Sequence, residues 1–180
     1  MKKVAVLLAN GFETLEALTV VDILRRAEVG CDTFGVNGLE ITTSHKIKII
    51  ADKVLDVNEV NKYDVLVLPG GMPGSINLRD DERVVSLIKE FNNNGKYVCA
   101  ICAAPIALGK AEITTGKNIT CYPGFEKELE GCNYKEDLVV IDNNIITGKG
   151  PAAAIEFAFE ILSKINLEKV DEIKKGMLFI

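Results

Sequence analysis

At 180 residues with a net charge of −5, the chain is long enough for a sizeable core and carries the wrong sign for a nucleic-acid or anionic-membrane partner. Hydrophobic residues make up 48% and charged residues 26%, which excludes a disordered chain. The lysines are scattered rather than clustered, so the expected partners are small molecules or proteins, with no nucleic acid and no membrane.

The apolar run Val4 to Ala9 is too short for a signal peptide, and no later stretch could span a bilayer. Five cysteines, an odd number without a disulfide-framework spacing, fit a reducing compartment, so the expected location is cytoplasmic. Lys3 to Ala9 reads as a buried strand broken at Asn10-Gly11-Phe12. Leu15, Leu18, Val21, Ile23 and Leu24 follow with helical spacing, and Arg25-Arg26 before Gly30 ends that helix. Cys31 to Val36 is a second strand, and Leu39–Thr42 with Lys46–Ile50 a small hairpin. Val57 to Asn61 forms a short turn or helix. Val65 to Leu68 is a continuous apolar strand, closed by a loop over Pro69 to Ser75.

Asp80 to Asn93 carries Val84, Leu87, Ile88 and Phe91 at helical spacing, and a strand from Lys96 to Ile101 follows. A helix over Pro105 to Lys110, a strand over Asn118 to Cys121 and a short helix from Phe125 to Glu130 come next. Leu138–Ile141 and Ile145–Thr147 form a hairpin around Asp142-Asn143-Asn144. Gly148 to Pro151 then opens an amphipathic helix through Ile165, with a further helical stretch over Leu167 to Lys175. Apolar strands alternating with amphipathic helices predict an α/β fold, a flavodoxin-like three-layer α/β/α sandwich with a mostly parallel sheet. No composition shift marks a boundary, so residues 1–180 read as one domain.

Cys102 lies between the apolar strand and the helix begun by Ala103-Ala104-Pro105. A residue on such a strand-to-helix bend projects into the crevice at the carboxyl edge of the sheet, where a nucleophile belongs. Helix N-terminal amides there are expected to lower the thiol pKa, the alternative being an inert buried cysteine. The same edge collects Glu16, Gly70-Gly71 and the Cys121-to-Pro123 segment. Beside a thiolate, Glu16 would share one proton with the sulfur and serve as general acid or base; taken alone it is a first-turn carboxylate favoured by the helix dipole. The N–H groups of Gly71 and Ala103 could form an oxyanion site, with Gly70 allowing close backbone approach, the alternative being a tight glycine turn.

Neither the dinucleotide fingerprint nor the Walker A spacing occurs. Cys99-Ala100-Ile101-Cys102 spells C-x-x-C, but an extended strand puts the two Cα atoms roughly 10 Å apart, too far for a disulfide. Zinc would need a second ligand pair, so no metal and no cofactor is expected. Glu13 reads as a capping or solvent carboxylate. Cys31, Cys121 and Cys132 read as core or surface thiols, Cys121 close enough to the crevice for a resolving partner. The single histidine, His45, falls in the hairpin and reads as a surface residue, which leaves a Cys-His pairing without its base.

Gly11-Phe12-Glu13-Thr14-Leu15-Glu16-Ala17, Asp64 to Gly71, Ala100-Ile101-Cys102-Ala103-Ala104-Pro105 and Thr147 to Pro151 running into Ala154-Ile155-Glu156-Phe157 together resemble the ThiJ/PfpI family, the parkinsonism-associated deglycase superfamily, in its YajL-like bacterial branch. The resemblance covers essentially the whole chain. It implies a flavodoxin-like homodimer with Cys102 as oxidation-prone nucleophile, Glu16 as its protonated partner, and Gly71 and Ala103 lining an anion pocket. Implied activities are glutathione-independent glyoxalase chemistry on methylglyoxal, deglycation of glycated thiols or amines, peroxide sensing and holdase chaperoning. The protease-like branch carries histidine directly after the cysteine, where this chain has Ala103. In glyoxalase-active members a histidine follows the next strand, and Tyr122 in Thr120-Cys121-Tyr122-Pro123 stands at that place.

Overall fold

Side-chain alternation sorts the core into two layers. In strand β1 (Lys3–Leu8), Val4, Val6 and Leu8 pack on one face while Ala5 and Leu7 pack on the other. The computed structural model describes residues 2–179. After β1 come helix α1 (Thr14–Arg26), β2 (Gly30–Gly35), the hairpin strands β3 (Glu40–Thr42) and β4 (Lys48–Ile50), and β5 (Lys53–Val54). Helix α2 (Val57–Val60), β6 (Val65–Leu68), α3 (Gly74–Asp80) and α4 (Glu82–Asn93) follow. Then come β7 (Tyr97–Ile101), α5 (Pro105–Lys110), β8 (Asn118–Ile119), β9 (Asn133–Tyr134), β10 (Val139–Asp142), β11 (Ile145–Gly148), α6 (Ala154–Ile165) and α7 (Lys169–Gly176).

Seven strands form the main sheet in the order β10-β11-β7-β6-β1-β2-β5. All neighbours pair in parallel except β10 with β11, the hairpin expected from the sequence. Helices α1, α6 and α7 cover one face and α2 to α5 the other, the arrangement that continuous apolar strands such as Val65–Leu68 demand. The flavodoxin-like three-layer sandwich is therefore the observed fold. Among the described residues no helix is long and apolar enough to cross a membrane.

Four local departures have physical causes. Residues 74–80, within and just beyond the stretch read as a loop, form α3, because Asp81 caps α4 separately by accepting the Arg83 N–H at 2.9 Å and so splits the segment into two helices. Strand β5 is two residues long and lies on the sheet edge, too short for any periodicity to announce. Strand β8 pairs in parallel with β9 in a separate two-stranded sheet, since β10 already occupies that edge of the main sheet. Gly148 completes β11, and a single 3₁₀ turn over Pro151–Ala153 precedes α6, so that helix starts later than its sequence suggests.

Candidate active site

Strict alternation along β7 would aim Cys102 with Val98 and Ala100, toward the α4 and α5 layer. Cys102 instead packs with Cys99 and Ile101 on the α1 side. The cause is its left-handed backbone, φ +64°, which turns the side chain over at the end of the strand. Two backbone bonds hold that conformation. The Cys102 N–H donates to the Gly148 carbonyl at 2.8 Å, and the Cys102 carbonyl accepts the Tyr122 N–H at 2.8 Å. Pro105 opens α5 in its first turn, as expected of a residue with no N–H to offer.

Turned this way, the thiol meets the first turn of α1. Glu16 has no exposed surface; its Oε2 accepts the Gly70 N–H at 2.8 Å, and Oε1 has no hydrogen-bond partner among the nitrogens and oxygens of the described residues. Gly70 is required by this approach. A Cβ there would lie 2.5 Å from both Cys102 Cβ and Glu16 Oε2 and 2.8 Å from the Ile101 carbonyl oxygen. Gly71 adopts φ +88°, where a side chain would also run into the Glu13 nitrogen at 2.4 Å. Its N–H and that of Ala103 face the Cys102 sulfur closely enough to favour its ionised form. Cys102, Glu16, Gly70, Gly71 and Ala103 are thus gathered at one point from three segments of the chain.

Electrostatics at this point run against the expectation of a simple amide-lowered thiol. Burial, then the charge and hydrogen bond of Glu16, push Cys102 up to about 12, against the pull of the Ala103 and Gly71 amides. Burial also pushes Glu16 up to about 7; bonds from Cys102 and Gly70 oppose it and the Glu13 charge adds to it. Helix α5 is only six residues long, and its amides do not outweigh burial plus a neighbouring carboxylate. The two groups titrate as a pair. Between these values the pair carries one negative charge and one proton, and a thiolate beside a protonated Glu16 is the same charge state as a thiol beside an ionised one. Moving that proton to Glu16 arms the sulfur without any exchange with solvent.

Tyr122 is 48% exposed. Its backbone braces the elbow, but its ring lies edge-on to Phe125 with centroids 6.3 Å apart and flanks Gly150. All five cysteines are free. Cys99 is buried within β7, and Cys121 packs in the opposite hydrophobic layer from Cys102. His45 is exposed, with Nδ1 3.4 Å from Glu13 Oε2 and 3.2 Å from Ser44 Oγ. Glu13 caps α1 as read, accepting the Leu15 N–H at 3.5 Å, and also accepts the Ser44 hydroxyl at 3.1 Å. Two contributors escaped the sequence reading: Gly148 as acceptor for the elbow N–H, and Glu13 as a charge felt by Glu16. Only the position of Gly148 at the end of an apolar strand hinted at the first.

The DJ-1/PfpI family model matches residues 2–164. The chain is 38% identical to Protein dj-1beta of Drosophila melanogaster over 98% of this chain and 97% of that one. The crystal structure of Drosophila melanogaster DJ-1beta superposes with a TM-score of 0.92 at 37% identity, covering 99% of this chain and 98% of that one. An oxidized Toxoplasma gondii DJ-1 gives 0.91 at 31% identity, with coverage of 99% and 98%. A match that runs through β1, the elbow and α6 alike, on the same three-layer sandwich, means that this chain belongs to the DJ-1/PfpI family.

Proposed function

We propose that the protein is a cytoplasmic, cysteine-dependent enzyme that converts reactive dicarbonyls of the methylglyoxal type, or their adducts on thiols and amines, without glutathione. The observation that carries this reading is the burial of Cys102 and Glu16 against the same face of Gly70, beside the Gly71 and Ala103 amides. As the proton passes to Glu16, the thiolate adds to the aldehyde carbon and gives a hemithioacetal whose oxyanion lies near the two N–H donors. Glu16 passes that proton to the oxyanion and, now ionised, takes the hydrogen from the same carbon as a proton and returns one to the adjacent carbon, leaving a lactoyl thioester. Water hydrolyses the thioester to lactate and frees the thiol. The sum is methylglyoxal plus water to lactic acid, with no net oxidation.

A homodimer fits the exposed Leu15 on α1 and Ile47 and Ile50 on the β3–β4 hairpin, elements joined by the Ser44 N–H to the Phe12 carbonyl at 2.9 Å. Peptidase chemistry is not favoured, since Ala103 follows the cysteine and His45 is engaged with Glu13 and Ser44. The test is lactate formation from methylglyoxal in wild type and Cys102→Ser. Lactate that disappears in the variant is the expected result; wild-type lactate no greater than that of the variant rejects the reading.

A second reading, peroxide sensing by oxidation of Cys102 to a sulfinate, is supported by the same amides, which would bind sulfinate oxygens, and by the oxidized state of the Toxoplasma relative. It predicts selective modification of Cys102 among the five thiols at low peroxide.

A further inference from the structure

Beside the elbow lies a cavity of about 180 Å³, lined by Tyr122, Pro123, Leu138, Lys149, Gly150 and Pro151 with the two alanines that follow. Its walls continue the two segments that grip Cys102. Tyr122 donates its N–H to the Cys102 carbonyl, and Gly148, which accepts the Cys102 N–H, leads directly into Lys149–Pro151. The lining is almost wholly apolar. Lys149 spends its ammonium on the Glu136 carbonyl at 2.8 Å and turns its stem to the cavity. Tyr122 and Leu138 remain 48% and 47% exposed, large apolar surfaces left in water on the cavity walls. Open to solvent on one side, the hollow has room for a single aromatic ring, and a tyrosine face stacks on another ring in offset geometry.

We propose that this cavity is the subsite for an aryl substituent on the carbonyl compound attacked by Cys102, which makes arylglyoxals the preferred substrate class over methylglyoxal. The inference rests on the nucleophilic reading of Cys102 given above. It assigns Tyr122 the part of an aromatic wall rather than a base. Methylglyoxal, with only a methyl group, leaves the cavity unfilled. One phenyl ring covers Tyr122 and Leu138, and an apolar pocket of this kind discriminates by about tenfold or more in kcat/KM.

Gly150 supplies the decisive variant. Its backbone is extended at φ 171°, which any residue adopts, and a Cβ would sit 3.4 Å from Tyr122 Cδ2 in ordinary contact. Gly150→Leu therefore fills the cavity without backbone strain. The experiment measures kcat/KM for phenylglyoxal and for methylglyoxal in wild type and Gly150→Leu, with Leu138→Lys, an exposed wall position, as the second variant. The expected result is a phenyl-to-methyl ratio that drops by about tenfold or more in both variants. A ratio unchanged in either variant while turnover persists overturns the subsite and leaves the nucleophilic reading standing. Absence of turnover on both substrates in wild type rejects that reading instead, and the cavity is then decided by titrating acetophenone, which needs no chemistry. Saturable binding lost in both variants sustains the aryl site, and absence of binding overturns it. A change in sedimentation of Gly150→Leu without a change in ratio assigns the cavity to an interface between copies, which also overturns the proposal.

Discussion

Two carboxylates in this molecule are held in opposite states. Glu16 lies without exposed surface beside a sulfur, with one backbone donor and with Glu13 as a neighbouring negative charge; burial pushes it up to about 7. Asp52, on the loop before β5, is also pushed up by burial, but the Thr33 N–H at 2.8 Å, the Thr33 hydroxyl at 2.7 Å and the Arg25 guanidinium outweigh that and hold it below the ordinary carboxylate range. One group is surrounded by donors, the other by a competitor for its proton. A carboxylate saturated with donors stays ionised, whereas one buried short of them holds its proton longer.

The contrast breaks most severely at Gly70. Gly70→Ala drives a methyl group into Cys102, Glu16 and the Ile101 carbonyl together, so urea unfolding should show a loss above about 3 kcal/mol, with turnover lost as the pair is forced apart. Removing the titration sharpens the contrast next. With a carboxyl that ionises at 4.5 in the unfolded chain and at about 7 in the folded one, wild type loses on the order of 3 kcal/mol as pH rises through that window, because the folded state holds the proton longer. Glu16→Gln should flatten this slope in unfolding measured from pH 4 to pH 8; an unchanged slope would assign it elsewhere.

Asp52→Asn gives the smallest effect and the opposite pH sense. A lowered carboxyl stabilises the fold above 3.8 and stops doing so as pH falls through its folded value. With Asp52 38% exposed, solvent screening reduces the expected loss at pH 7 to about 1 kcal/mol. Unfolding in acid should bring the two proteins together.

How much of this could be read from the chain depends on range. Val65–Leu68, the elbow run ending at Cys102 and the helix over residues 14–26 announce themselves by local pattern, and the parallel sheet follows from them. Glu16 and Gly70 were found because strand ends converge on one edge, a rule of topology rather than of composition. Helix α3 escaped, since Pro69-Gly70-Gly71-Met72-Pro73-Gly74 carries every turn signal and none of a helix. The direction of the Cys102 shift escaped for a different reason. Burial is a property of the assembled layers, and no spacing within Lys96–Leu108 encodes it. The Thr33–Asp52 and Asp32–Lys53–Tyr63 networks join residues 10 to 31 positions apart and leave no local mark.

The left-handed backbone at Cys102 has a consequence for engineering. An L-residue in that conformation gives up roughly 1 kcal/mol that glycine would not. A screen that rewards only heat resistance would therefore tend to replace the sulfur at position 102 and with it the chemistry proposed for that residue. Libraries built on this scaffold need position 102 held constant, or an assay for chemistry beside the assay for survival.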